Sequence, residues 1–299
     1  MNRYLDEAQV RAVLSWECLI PAMEAALASF SLGLVTQPVR TILTVPPHQE
    51  RFGIMPVVYG DVMGAKLVSV FHGNAEIGLA THQAVIQLFE TRTGAPVATM
   101  DGRLVTEMRT AAVSAIATRL LSHPDSRVLA VLGSGVQARS HIQALRLVRS
   151  FEEIRIWSRT AANAERLAKE VDGKAMAAEE AVRGADVVVT VTAAREPILQ
   201  GCWVKSGAHV NAVGAVGAAI RELDDEAMAN PVIVESREAA LTESGDILLS
   251  HATIDAELGE LLAGTKSIDA SQTTIYKSLG IGVEDIAAAK LVWDRIEHH

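Results

Sequence analysis

Residues 128–138 read Val128-Leu-Ala-Val-Leu-Gly133-Ser-Gly135-Val-Gln-Ala138, an apolar run followed by a glycine-containing turn. The apolar run predicts a buried strand, and the residues after Gly135 predict a helix. Gly133 permits a tight turn out of the strand, and Gly135 lets a ligand approach the backbone because no Cβ stands in the way. A diphosphate could then lie over the amide groups at the start of the helix. The segment therefore predicts a dinucleotide-binding turn formed by Gly133, Ser134, Gly135, Val136, Gln137 and Ala138.

The chain after residue 125 alternates between apolar strands and helical segments. The predicted strands are 128–132, 154–157, 187–192, 209–213 and 232–234, and the first two predicted helices are 136–148 and 161–171. Apolar strands separated by helices of about ten residues predict a parallel sheet that is covered on both faces. This order of strands and helices makes the dinucleotide-binding interpretation of the turn at Gly133 more specific than the glycine pattern alone would. We therefore predict a doubly wound, Rossmann-like α/β domain over residues 119–280.

The first part of the chain has a different pattern. A predicted helix over 19–33, with Pro21 in its first turn, is followed by β-branched or aromatic segments bounded by Pro, Gly or Asp. These segments are 41–45, 54–59, 66–71, 85–90 and 96–100. They predict a largely antiparallel sheet in an N-terminal α+β domain of residues 1–118. A terminal helix within residues 281–299 is predicted to complete this domain.

Composition and charge exclude several classes of protein. The chain of 299 residues carries a formal net charge of -9, whereas a nucleic-acid-binding surface needs a basic face. Cys18 and Cys202 have neither CxxC nor Cys/His spacing, so we expect no disulfide framework and no metal site. No apolar run has the length of a membrane span, and the N-terminus lacks a signal-peptide core. We therefore expect no nucleic-acid or membrane partner and a cytoplasmic location, and we give the terminal His298 and His299 no role.

The end of the second predicted strand bears on the choice of cofactor. NAD sites usually place an acid there, but this sequence has Ser158-Arg159-Thr160. An arginine between two hydroxyl groups suits a 2′-phosphate, so we prefer NADP(H), with NAD(H) possible; the alternative is that Arg159 is a solvated surface residue. The other predicted cofactor-binding residues are Thr192, at the end of a strand, and Lys277 and Ser278, which precede the terminal helix.

Three cations in the first part of the chain are candidates for binding a substrate. Lys66 opens the predicted strand 66–71 and is either a strand-edge solubiliser or an inward-pointing cation. Arg109 lies in the first turn of a helix predicted over 106–121, where a cation opposes the helix dipole unless it shares an anion with the helix end. Arg40 is the third cation. His82 could line a pocket or be a structural histidine.

The chain resembles the ornithine cyclodeaminase/mu-crystallin family over essentially its whole length. The segments that carry the resemblance are 64–71, 108–115, 133–138, 207–215, 221–225, 243–246 and 277–280. The resemblance implies a two-domain subunit that holds its substrate in the cleft between the domains and forms a homodimer through the N-terminal sheet. It also implies that Arg40, Lys66 and Arg109 are the catalytic residues. They would bind the substrate carboxylate beside the nicotinamide, and Lys66 could also pass or stabilise a proton.

One departure from the family pattern points to a reaction. Cyclodeaminases and some alanine dehydrogenases of the family carry an aspartate soon after the position of Ala215, whereas residues 213–220 of this chain contain no ionisable side chain. The base for deamination is therefore missing from that position. The resemblance is closest to the ketimine reductase branch. It implies an oxidoreductase that uses NAD(P)H to reduce Δ1-pyrroline-2-carboxylate or Δ1-piperideine-2-carboxylate to L-proline or L-pipecolate.

Three alternatives stay open at this point. The first is an ornithine or lysine cyclodeaminase that keeps NAD+ bound, and the second is an alanine or N-alkyl amino acid dehydrogenase. The third is a non-catalytic, mu-crystallin-like binder that retains the cations for a carboxylate ligand. The sequence does not determine the ring size of the imine.

Overall fold

The computed structural model describes residues 3–47 and 50–297, so His298 and His299 lie outside the described residues. The chain forms two compact units, one of Met1–Arg109 with Gly280–His299 and the other of Thr110–Leu279. The division falls within the helix Arg103–Leu121. We call them unit 1 and unit 2.

Unit 1 contains a mixed sheet and the two ends of the chain. Its strands are β1 (Arg3–Leu5), β2 (Val35–Thr36), β3 (Thr41–Val45), β4 (Glu50–Tyr59), β5 (Val62–Val70), β6 (His82–Glu90) and β7 (Pro96–Asp101). Its helices are α1 (Glu7–Val13), α2 (Trp16–Ser31), the start of α3 (Arg103–Leu121) and the C-terminal α11 (Gly282–Glu297), with a 3-10 helix at His72–Ile77. The strand order is β1-β7-β6-β5-β4-β2, with β3 paired to β4. Every pair is antiparallel except β1 with β7, which confirms the predicted N-terminal α+β architecture.

One face of this sheet packs against α11, which also contacts α2. Side chains alternate between the faces of a strand, and Met55, Val57, Ile86 and Leu88 are buried on the helix-covered face. The opposite face leaves apolar side chains exposed. By strand register these are Leu43, Val58, Leu67 and Val85, which are 39–50% exposed.

The predicted position of Pro21 is wrong. The helix α2 begins at Trp16, where the amide of Leu19 donates to the carbonyl of Ser15, so Pro21 lies inside the helix beyond its first turn. Among the described residues, no single helix is long and apolar enough to cross a membrane. By length and composition alone, α1 and α2 could do so as a pair, but they are bent by 91° at their junction.

Unit 2 contains an eight-stranded parallel sheet. Its strands are β8 (Val128–Leu132), β9 (Glu153–Trp157), β10 (Lys174–Ala175), β11 (Val187–Thr190), β12 (His209–Ala212), β13 (Val232–Val234), β14 (Ile254–Glu257) and β15 (Thr274–Lys277). Its further helices are α4 (Val136–Leu145), α5 (Ala161–Val171), α6 (Ala178–Val182), α7 (Asp225–Met228), α8 (Arg237–Glu243), α9 (Gly245–Ser250) and α10 (Leu258–Leu262), with a 3-10 helix at Gly201–Trp203.

The strand order in unit 2 is β10-β9-β8-β11-β12-β15-β13-β14. The chain runs outward from β8 through β9 to β10 and then returns to the other side of β8 with β11. The order therefore reverses between β8 and β11, which is the topological switch point of a doubly wound sheet. This topology confirms the predicted Rossmann-like fold, and the turn at Gly133 follows β8 directly at the switch point. The sequence analysis did not predict β10, β14 or β15.

Candidate active site

Lys66 is buried in the middle of the sheet of unit 1. It lies in the centre of β5, paired with Met55 on one side and Ile86 on the other, and is only 2% exposed. Its Nζ atom lies 2.6 Å from Oδ2 of Asp285 on α11. The prediction that Lys66 opens a strand is wrong, because β5 begins at Val62. A strand-edge solubiliser is also ruled out, since β5 has a neighbour on each side.

Arg109 does not lie in the first turn of its helix, as the sequence analysis predicted. The helix α3 begins at Arg103, and the carboxylate of Asp101 accepts a hydrogen bond from the Arg103 amide at this helix start. The Arg109 guanidinium is buried and contacts two carboxylates. Its NH1 lies 2.7 Å from Oε2 of Glu284, and its Nε lies 3.2 Å from Oδ1 of Asp285. The expected sharing of an anion between Arg109 and the helix end is therefore not supported.

Gly280 lies against Arg109 and also contacts Arg40, the third cation. Its carbonyl accepts a hydrogen bond of 2.5 Å from NH2 of Arg40. Gly280 has a φ of +70°, and a Cβ at this position would collide with the guanidinium of Arg109. Only a glycine therefore allows Arg40 and Arg109 to approach the same residue.

The sequence analysis missed two acidic residues of this cluster. Glu284 and Asp285 lie in the first turn of α11, and both are fully buried. Two adjacent acids between Val283 and the apolar run from Ile286 were the available signal, since buried carboxylates need partners. The cluster of Arg40, Lys66, Arg109, Glu284 and Asp285, which we call the cation cluster, has three positive and two negative side chains and thus one net positive charge. Arg40 is half-buried and the other four side chains are buried. An excess of one positive charge in such a place favours an anionic ligand such as a carboxylate.

The electrostatic environment tunes the two groups in the centre of the cluster. Burial lowers the pKa of Lys66 to about 8, although the Asp285 carboxylate opposes this change. Burial alone would raise the pKa of Asp285, but Arg109 and Lys66 outweigh burial and hold that pKa below its ordinary value. Lys66 can therefore hold or release a proton close to neutral pH. His82 opens β6 as an exposed residue, and its Nδ1 lies 3.2 Å from the hydroxyl of Thr81.

The turn after β8 has the geometry that a diphosphate requires. Gly133 has a φ of +138°, and a Cβ there would lie 2.7 Å from the carbonyl of Val191. Gly135 precedes α4 and has open space at its Cβ position, and no side chain caps the helix. The Oε1 atom of Gln137 is buried without a hydrogen-bond partner in the described part of the chain. An open cradle and an unpaired polar atom fit a dinucleotide at this helix start.

The residues after β9 lie where a Rossmann-like domain usually contacts the ribose of its cofactor. The hydroxyl of Ser134 donates to that of Ser158 at 2.9 Å, which ties the turn to the end of β9. Thr160 precedes α5, and its side chain makes no capping hydrogen bond. Arg159 is exposed and forms no hydrogen bond or ion pair with any residue that the structure describes. Its guanidinium is therefore available to a ligand.

The other three predicted cofactor-binding residues have partners within unit 2. The Nζ atom of Lys277 is fully buried, 2.9 Å from Oδ2 of Asp246 and 2.7 Å from the carbonyl of Ala215. Thr192 donates from its amide and its hydroxyl to Glu222, at 2.8 and 2.7 Å. The hydroxyl of Ser278 donates to the buried Glu235 at 2.8 Å. A contact of these residues with a cofactor stays a prediction.

Glu222, which the sequence analysis also missed, organises the uncharged loop 213–220. Its carboxylate accepts hydrogen bonds from the amides of Gly214 and Ala215, and from Thr190 and Thr192. Burial raises the pKa of Glu222, although Lys277 opposes this change. The carboxylate of Glu222 thus ties the start of the loop to Thr190 and Thr192. No group of His, Cys, Asp and Glu residues within 3–47 and 50–297 could hold a metal ion.

Comparisons with known proteins bear on the activity of this site. The model of the ornithine cyclodeaminase/mu-crystallin family matches residues 2–299. The ketimine reductase mu-crystallin of Mus musculus is 52% identical over an alignment of 285 residues, and the match covers 92% of this chain and 91% of that protein.

Two solved structures have the same fold. The Delta(1)-pyrroline-2-carboxylate reductase of Thermococcus litoralis, in complex with NADH and L-proline, is 34% identical with a TM-score of 0.94. The match covers 99% of this chain and 98% of that one. An archaeal alanine dehydrogenase dimer with bound NAD is 29% identical with a TM-score of 0.94, and the match covers 99% of this chain and 96% of that one.

Proposed function

The chain belongs to the ornithine cyclodeaminase/mu-crystallin family, and we propose that it reduces cyclic ketimine carboxylates with a nicotinamide dinucleotide. The substrates are Δ1-pyrroline-2-carboxylate and Δ1-piperideine-2-carboxylate, and the products are L-proline and L-pipecolate. The observation that carries this proposal is the cation cluster with its one net positive charge, which matches a substrate with one carboxylate. Relatives that carry the same activity in their names support it.

The residues of the cation cluster have separate tasks in this reaction. Arg40 and Arg109 bind the substrate carboxylate through charge-assisted hydrogen bonds and thereby orient the ring. Lys66 adds a donor to the carboxylate or keeps a proton on the imine nitrogen, which makes the adjacent carbon electrophilic. The hydride for this carbon would come from a nicotinamide dinucleotide, which the turn at Gly133 would hold. The carbon gains a hydride and the nitrogen keeps its proton, which yields the cyclic secondary amine.

The uncharged loop 213–220 disfavours the cyclodeaminase alternative. Deamination needs a base for the amino group, and the loop has no carboxylate to provide it. The purified protein is therefore expected to oxidise NADH or NADPH when Δ1-pyrroline-2-carboxylate is added. Release of ammonia from L-ornithine without a net change in cofactor absorbance would contradict the proposal and favour the lyase.

We also propose that the turn at Gly133 and the residues 158–160 bind the cofactor and favour NADPH over NADH. The relative from Thermococcus litoralis has NADH bound, which supports a nicotinamide cofactor but not this preference. The preference rests on Arg159, which is exposed at the end of β9 where NAD-binding proteins usually place an acid.

Arg159→Ala is expected to raise the KM for NADPH by about 10- to 100-fold, because a charge-assisted hydrogen bond contributes about 1.5–3 kcal/mol. The KM for NADH should change little. The matched control is Arg166→Ala, because Arg166 lies on the adjacent α5 and its guanidinium donates a hydrogen bond to Asn163 on the same helix. Equal changes for both cofactors in Arg159→Ala would contradict the assignment.

The uncovered face of the sheet in unit 1 supports a homodimer. Leu43, Val58, Leu67 and Val85 are exposed on that face. An exposed apolar patch of this kind marks an interaction surface, and the archaeal alanine dehydrogenase relative is a dimer. We propose that two copies of the chain associate through this face. Light scattering that finds a monomer at micromolar concentration would contradict this.

A further inference from the structure

Asp285 contacts two cations of the cation cluster directly. Its Oδ2 lies 2.6 Å from Nζ of Lys66, and its Oδ1 lies 3.2 Å from Nε of Arg109. The side chains of Lys66 and Arg109 are 3% and 5% exposed, and that of Asp285 is fully buried. Water therefore screens these contacts less than it would at the surface, and the charge of Asp285 acts strongly on Lys66.

Besides Asp285, the charges that act most strongly on Lys66 are positive. Arg109 from α3 and Arg40 from the segment before β3 both disfavour the ammonium form of Lys66. His82, on the neighbouring β6, is also within electrostatic reach of Lys66. The paired residues on β4 and β6 are Met55 and Ile86, which carry no charge.

The effect of losing Asp285 can be worked out from these neighbours. Burial and the two guanidinium groups both favour the neutral amine of Lys66. Asp285 is the group that opposes them. Without it, Lys66 would lose its proton at a lower pH and would no longer be held toward α11.

We propose that Asp285 is a positioning residue that keeps Lys66 protonated and fixed, so that the cation cluster can bind the substrate carboxylate at neutral pH. This inference rests on the proposed function. It assigns the C-terminal helix a part in substrate binding, because Asp285 reaches the sheet from the first turn of α11. Glu284, the adjacent acid, has a different task. It contacts Arg109 at 2.7 Å and accepts a hydrogen bond from the amide of Ile281 at 3.3 Å.

The test compares Asp285→Asn with Glu284→Gln. Both substitutions are nearly isosteric, and Glu284 is as buried as Asp285 and adjacent to it in the chain. The measurement is kcat/KM for Δ1-pyrroline-2-carboxylate between about pH 6 and pH 10. Asp285→Asn is expected to move the decline of kcat/KM at alkaline pH to lower pH by at least about one pH unit. At a given pH within the decline, this is a tenfold loss of kcat/KM. Activity should recover as the pH falls, because Lys66 regains its proton. Glu284→Gln should lower kcat/KM evenly and leave the decline at the same pH.

Titration of the imine itself affects all variants equally, so the difference between them reports on the protein. Asp285→Glu is a further variant, because it keeps the charge while changing the length of the side chain. Asp285→Glu should keep the alkaline decline of kcat/KM near the wild-type pH. This expectation can be tested even if Asp285→Asn fails to fold. An unshifted decline in folded Asp285→Asn, or a shifted one in Asp285→Glu, would overturn the proposal.

A wild-type protein that does not reduce the imine would contradict the proposed function but would still permit a test of Asp285. Pyrrole-2-carboxylate is a planar anion that can report on the cation cluster by binding alone. Its affinity should fall at a lower pH in Asp285→Asn than in the wild type. The same pH dependence in both proteins would overturn the inference about Asp285.

Discussion

Lys66→Ala is expected to lower kcat for imine reduction by at least about 100-fold, the lower range for loss of a positioned proton donor. Lys66 is buried, 2.6 Å from Asp285, and shares the cation cluster with Arg40 and Arg109. Its removal takes away a proton donor and the third cation around the substrate carboxylate. Because the turn at Gly133 is untouched, the dissociation constant of NADH should stay within about twofold of the wild-type value.

Lys290→Ala is the matched control for this prediction. Lys290 also lies in unit 1, but it is partly exposed and pairs with Asp294 and Asp61 at the surface. Such pairs contribute at most about 1 kcal/mol, so kcat should be unchanged. Steady-state kinetics and a titration of NADH fluorescence measure both quantities. A loss of substrate affinity in Lys66→Ala without a loss of turnover would contradict this prediction. Lys66 would then bind the substrate carboxylate without taking part in catalysis.

Lys277→Met is expected to lower the free energy of unfolding by about 3–5 kcal/mol, because it leaves a buried carboxylate without its partner. Lys277 and Asp246 are both fully buried and lie 2.9 Å apart. Lys277 also donates to the carbonyl of Ala215, at the start of the uncharged loop. Urea unfolding monitored by tryptophan fluorescence measures the change.

Two further variants test whether the loss of stability in Lys277→Met comes from the unpaired carboxylate of Asp246. Asp246 accepts hydrogen bonds from the amides of Glu222 and Leu223, which asparagine can keep. Lys277→Met combined with Asp246→Asn should therefore recover part of the lost stability, since neither residue then carries a buried charge. Lys169→Met, a change at an exposed lysine of α5, should have little effect. Unchanged stability with weaker NADH binding in Lys277→Met would instead favour the predicted direct contact of Lys277 with the cofactor.

Local sequence signals predicted the framework of unit 2 well. The strand β8 and the helix α5 begin and end where the sequence analysis placed them. Both have regular patterns between clear turn residues, so neighbouring residues contain most of the information. The strand β15 was missed although it lies in the middle of the sheet, between β12 and β13. Its position depends on pairing with distant strands, and a segment of four residues shows no periodicity.

The candidate site was predicted in part. The cations Arg40, Lys66 and Arg109 were named from the sequence, but the carboxylates that contact them were not. Arg109 and Asp285 are 176 residues apart in the chain, so no local pattern relates them. The early start of α3, where the Arg103 amide donates to Asp101, was also missed.

The sequence by itself determined the strand, turn and helix around Gly133. Their formation depends on contiguous residues, on the freedom of glycine and on the apolar run before it. Only the tertiary structure decided the charge of the substrate site. It brought Glu284 and Asp285 from the last helix against cations from β5 and α3, and this left one net positive charge in a largely buried cluster. Electrostatic energies depend on distance in space and on exclusion of water, and folding alone establishes both.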